Sequence, residues 1–66
     1  MIEVNDKVMF KDSYTGYFED RKGEVFTVAK YHYKDQSVIS DMVELKEIEE
    51  YHLLSVRNIK NEVKND

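Results

Sequence analysis

Cysteine, proline and tryptophan are absent from this 66-residue chain, and glycine occurs only at Gly16 and Gly23. Without cysteine there is no disulfide, no thiolate metal ligand and no thiol nucleophile. A small disulfide-free domain suits a reducing compartment. Two isolated glycines are too few for a backbone cradle around phosphate. No apolar run approaches the ~20 residues of a membrane-spanning helix. The opening residues Met1 to Asp6 have neither the basic start nor the apolar stretch of a signal peptide, so a cytoplasmic protein with no membrane partner is expected.

Size excludes more. A chain of 66 residues holds one domain, expected here to span 1–63 with a frayed tail at 64–66. A domain this small buries only about 60% of the surface its unfolded chain exposes. It has no room for both a core and a deep substrate cavity, which weighs against an enzyme. No nucleophile elbow, phosphate loop or metal-helix motif is present. His32 and His52 stand 20 residues apart with no paired ligand motif, so no metal and no cofactor are expected.

What the chain has is charge, unevenly spread. Its net charge is −4. Residues 1–34 hold six basic and six acidic side chains, and residues 35–66 hold four basic and eight acidic. The acidic half would repel a phosphate backbone unless it faces away from one.

Alternation marks the strands. Val4, Val8 and Phe10 share one parity and predict a first strand near 6–11. A polar loop follows over 12–20, in which Gly16 can supply a positive φ. The run Asp20-Arg21-Lys22-Gly23-Glu24-Val25-Phe26-Thr27-Val28-Ala29 is a charged turn passing directly into a β-branched, aromatic strand. That strand is expected over about 24–31, with Val25, Thr27, Ala29 and Tyr31 on one face and Phe26 and Val28 on the other. Apolar groups on both faces suit a long, bent strand shared between two sheets. A hairpin turn at 34–37 and an extended segment over 38–45 come next.

The last third reads two ways. As β, Val43 and Leu45 form one short alternation, Tyr51 and Leu53 another. Ser55 to Asn58 is then a 3-10 turn and Ile59 to Val63 a closing strand. As α, Asp41 caps with Glu44 three residues on, and Met42, Leu45, Ile48, His52, Val56, Ile59 and Val63 make a helical stripe over 42–63. That alternative is an α+β fold with three strands and a C-terminal helix. It strands Val43, Tyr51 and Leu54 off the stripe, which favours an all-β fold of about five strands.

Taken in order, these pieces resemble a Src-homology-3-like barrel. Lys7-Val8-Met9-Phe10 leads to a long polar loop. Arg21-Lys22-Gly23-Glu24-Val25-Phe26-Thr27-Val28 is similar to the lysine-glycine-acid-apolar run that opens the family's second strand. Leu54-Ser55-Val56-Arg57-Asn58-Ile59 resembles its 3-10 turn. The resemblance covers most of the chain in layout and about a dozen residues in detail. Peptide-binding members line their groove with a tryptophan and a proline, and this chain has neither, so polyproline recognition is not carried over. What the resemblance implies is a non-catalytic interaction module, of the kind found in bacterial or phage accessory proteins that modulate a partner enzyme.

Three surfaces are candidates for contact. Tyr14, Tyr17, Phe18, Tyr31 and Tyr33 lie in two loops expected at the same end of the barrel, and tyrosines bring large contact area at low rotamer cost. They form the expected protein-binding face, or else plug the barrel's open end. Lys11, Arg21, Lys22 and Lys30 could instead meet a nucleic-acid backbone, although Asp12, Glu19, Asp20 and Glu24 are interleaved with them. Glu47, Glu49 and Glu50 could form an acidic face that mimics nucleic acid and inhibits a basic partner.

Overall fold

The computed structural model describes residues 1–35, 40–48 and 52–62. Five strands form: β1 (Lys7–Phe10), β2 (Phe26–His32), β3 (Met42–Leu45), β4 (Leu54–Ser55) and β5 (Ile59–Asn61). All pair antiparallel, in the order β4-β3-β2-β1-β5. Two 3-10 turns interrupt them, at Glu19–Arg21 and Val56–Asn58. The fold is all-β. The α+β alternative is overturned: the stretch 42–62 holds strands and one 3-10 turn where it is described. The reason is burial. Val43 and Leu54, which a helix would expose, are buried opposite one another across β3 and β4. The turn at 34–37 is only partly described. Val38, Ile39, Tyr51 and the end of the chain from Val63 lie outside the described residues.

Strand β2 joins two ladders. Its start pairs with β1 (Lys7 with Thr27, Val8 with Phe26), and its remainder pairs with β3. Between Val28 and Lys30 the register with β3 slips by one residue, so Ala29 is an extra residue on β2. Such a β-bulge bends the strand and switches which parity faces inward. Phe26 and Val28 are buried before it; after it, Tyr31 packs against the core opposite Val43. This corrects the simple two-face reading, which set Tyr31 on the side away from Val28. Val4 also departs from expectation. It precedes the strand, follows no ladder and is 48% exposed, because the backbone turns at Asn5 (φ 75°) before β1 begins.

The core gathers Val8, Phe10, Phe26, Val28, Val43, Leu45, Leu54 and Ile59 from the five strands, together with Tyr14 and Phe18 from the β1–β2 loop and Ile48 from the β3–β4 loop. Phe10 is its centre. Tyr14 stacks on it at 4.5 Å, Phe18 at 6.2 Å, and Phe26 meets it edge-on at 5.5 Å. The loop is held by its own chemistry: the Tyr14 hydroxyl accepts from the Phe18 N–H (3.1 Å). Gly23 carries the loop into β2 at φ 94°, a region that favours glycine. Gly16 does not have the positive φ expected of it. It is small because the Tyr14 ring passes beside it; a Cβ there would lie 2.6 Å from the phenol oxygen.

Ser55 closes the sheet locally. Its hydroxyl accepts from the Arg57 N–H (3.2 Å), capping the second 3-10 turn, and meets the Ser40 hydroxyl at 2.6 Å. No buried side-chain nitrogen or oxygen among the described residues lacks a partner.

Candidate functional site

The aromatic residues divide into two groups at opposite ends of the strands. In an antiparallel meander the β1–β2 and β2–β3 loops must leave from opposite ends. This corrects the expectation that they share one end. Tyr14 (7% exposed) and Phe18 (8%) belong to the core, so their area is withdrawn from any contact face. Tyr17 stands outside them at 84% exposure, edge-on to Phe18 at 4.9 Å and stacked with His52 of the β3–β4 loop at 5.8 Å.

At the other end Tyr31 and Tyr33 approach to 4.8 Å between ring centroids, tilted by 52°. They line a cleft of about 360 Å³ with Met1, Ile2, Glu3, Val4 and Asp41. Strand β2 fixes Tyr31, and the chain just beyond it carries Tyr33, which is 83% exposed. Asp41 organises this end. Its carboxylate accepts from the Tyr31 hydroxyl (2.6 Å) and from the Lys34 N–H (2.7 Å), and its carbonyl accepts from the Val56 N–H (3.1 Å). One residue thus joins β2, the β2–β3 loop and the second 3-10 turn.

The basic candidates do not converge on one face. Arg21 donates to both Glu24 carboxylate oxygens (closest contact 3.0 Å), and its guanidinium sits 4.9 Å from the centre of the Phe26 ring. Lys22 donates to the Asp12 carbonyl (2.7 Å). Lys11 is half-buried, and Lys30 is exposed on β2 opposite Glu44. Glu44 also meets the His32 ring nitrogen at 2.6 Å.

Of the acidic candidates, Glu49 and Glu50 lie outside the described residues. Glu47 has a structural task. Its carboxylate accepts from the Thr27 N–H (2.7 Å) and the Thr27 hydroxyl (2.9 Å), and that hydroxyl accepts in turn from the Lys7 ammonium (2.6 Å). The chain of bonds ties the β3–β4 loop across β2 to β1.

These contacts set the protonation behaviour. The hydrogen bond to Asp41, followed by burial and the carboxylate's charge, pushes the Tyr31 phenol up to about 12. The same bond, with the Lys34 N–H, holds Asp41 below its ordinary value of 3.8. At Glu47 burial works against ionisation, but the Thr27 N–H and hydroxyl outweigh it and hold the carboxyl below 4.5. A carboxyl depressed in the folded state stabilises above its unfolded pKa, and the contribution is lost as pH falls through the folded value. Resistance to urea should therefore hold above about pH 5 and decline below about pH 4. Asp41→Asn should flatten part of that decline; an unchanged slope would show that the bonds to Asp41 do not persist in solution. The Tyr31 contribution has the opposite sense, being complete below pH 10.0 and lost as pH rises through about 12. Absorbance titration of wild type against Tyr31→Phe should show the missing tyrosinate to be a late-ionising one.

Sequence reasoning missed Asp41, Ile2 and His52 as parts of these surfaces. Asp41 was legible only as a helix cap or as the first carboxylate of an acidic run, because a carboxylate reaching ten residues back to Tyr31 leaves no local pattern. No helix among the described residues is long and apolar enough to cross a membrane. Comparison with protein-family models, with curated proteins and with solved structures finds no match to this chain.

Proposed function

We propose that this chain is a non-catalytic interaction module that binds another protein through the Tyr31–Tyr33 cleft. The observation that carries the reading is the cleft itself, an open concavity walled by two tyrosines and by apolar residues of the N-terminal segment. Exposed tyrosine with apolar neighbours is the composition enriched at protein contacts. The order of elements supports a Src-homology-3-like barrel: strand, long loop, turn at Gly23, bent second strand, and a 3-10 turn before the last strand. Barrels of that layout serve recognition more often than chemistry, and an accessory protein acting on a partner enzyme fits a short acidic member. That step is analogy from layout. A nucleic-acid reading has less support, since Arg21 and Lys22 are already bonded to Glu24 and Asp12.

The test is affinity capture from extracts of the organism that encodes the chain. Wild type should retain a small set of proteins, Tyr33→Ser should lose them, and Tyr17→Ser should keep them. Capture that survives Tyr33→Ser but not Tyr17→Ser would move the contact to the Tyr17–His52 surface. Retention of nucleic acid alone, weakening steeply with salt, would replace the protein reading altogether.

A further inference from the structure

We infer that the Tyr31–Tyr33 cleft receives a cationic side chain, arginine or lysine, from a basic segment of the partner protein. The inference rests on the interaction reading above and states the chemistry of its ligand. Tyr31 and Tyr33 meet at an open angle rather than as a closed sandwich, so both rings border the same space. Aromatic faces carry the negative end of the ring quadrupole and attract a cation within about 6 Å.

Charge points the same way. Among the described lining residues the charged groups are the Glu3 and Asp41 carboxylates and the Met1 ammonium, so the balance is negative. Each Asp41 oxygen already accepts one hydrogen bond, which fixes the carboxylate while leaving a further lone-pair direction on each oxygen for an incoming N–H. Lys34 places its charge near Asp41 but is exposed and does not line the cleft. Ile2 and Val4 offer apolar surface along which a methylene stem can lie while its charged head reaches the carboxylates. An apolar side chain would desolvate those carboxylates without replacing their hydrogen bonds, and a neutral amide would donate to them without balancing their charge. An anion would be repelled by them. The net charge of −4 draws a basic segment toward the molecule before contact.

The probes are three blocked pentapeptides, with arginine, lysine or glutamine flanked by two glycines on each side. Each is titrated into the isotope-labelled chain at about 0.15 M salt and followed by amide chemical shifts. The arginine and lysine peptides should give saturable shifts confined to residues 1–4, 31–34 and 41, with millimolar dissociation constants, and the glutamine peptide none. Tyr33→Ala should weaken binding at least about threefold. Its exposure means that the spectrum away from the cleft stays unchanged. Glu3→Gln should weaken binding in the same direction. Equal shifts with the glutamine peptide, shifts centred on Tyr17 and His52, or no saturable shift with either basic peptide would each overturn the inference. If protein capture depends on Tyr33 while charged and neutral peptides behave alike, the interaction reading stands and the cationic ligand falls.

Discussion

Phe10→Ala is expected to leave the chain largely unfolded at room temperature. Phe10 is 2% exposed and touches three other aromatic rings, one from β2 and two from the first half of the β1–β2 loop. Truncating a buried phenylalanine costs about 3–5 kcal/mol when the site cannot collapse. Collapse is hindered here because Tyr14 and Phe18 are themselves held by a hydrogen bond within the loop. Against that loss stands a total stability of about 3–10 kcal/mol for a domain of this length. The variant should lose amide dispersion and near-ultraviolet ellipticity together. Phe10→Leu keeps most of the volume and should still melt cooperatively, at a lower temperature. A Phe10→Ala variant with a urea midpoint close to wild type would show that the aromatic stack does not carry the core.

Gly16→Ala is expected to cost about 1–3 kcal/mol, the usual range for forcing added atoms against a well-packed side chain. The added methyl would approach the Tyr14 phenol oxygen to 2.6 Å and its ring carbon to 2.8 Å. The ring is confined, since it stacks on Phe10 at 4.5 Å and its hydroxyl accepts from the Phe18 N–H. Gly23→Ala should also destabilise, by about 1–2 kcal/mol, for a different reason: left-handed backbone rather than contact. Nothing lies within 4 Å of a Cβ at Gly23. Asparagine separates the two causes, because it tolerates positive φ but is larger than alanine. Gly23→Asn should recover much of the loss, whereas Gly16→Asn should be worse than Gly16→Ala. Equal behaviour of the two asparagine variants in urea melts would reject this division.

The strands were legible because alternation and a β-branched run survive in the local sequence. Lys7–Phe10, most of Phe26–His32, the 3-10 turn after Ser55 and the start of the last strand all lie close to where the pattern puts them. The candidate surface was legible only in part. Tyr33 and Tyr17 are exposed as a contact residue must be, but nothing in the sequence separates them from Tyr14 and Phe18, which serve the core. An aromatic in a loop can turn either way, and Phe10, several residues earlier, decides it. The bulge at Ala29 was illegible for a related reason: a surplus residue shows only when the partner strand is known, and β3 is more than ten residues away. Likewise Glu47 looked like one carboxylate in an acidic run, since its bonds to Thr27 cross 20 positions of sequence.

That surplus residue separates two properties usually encoded together. With Ala29 bulged out, Val28 lies opposite Leu45, Lys30 opposite Glu44 and Tyr31 opposite Val43. Excising Ala29 would leave each of those partnerships intact and each side chain on its present side. What would vanish is curvature, and with it the means by which a single β2 reaches neighbours on both flanks. In this small sheet, then, chain length sets the shape and side-chain identity sets the lining.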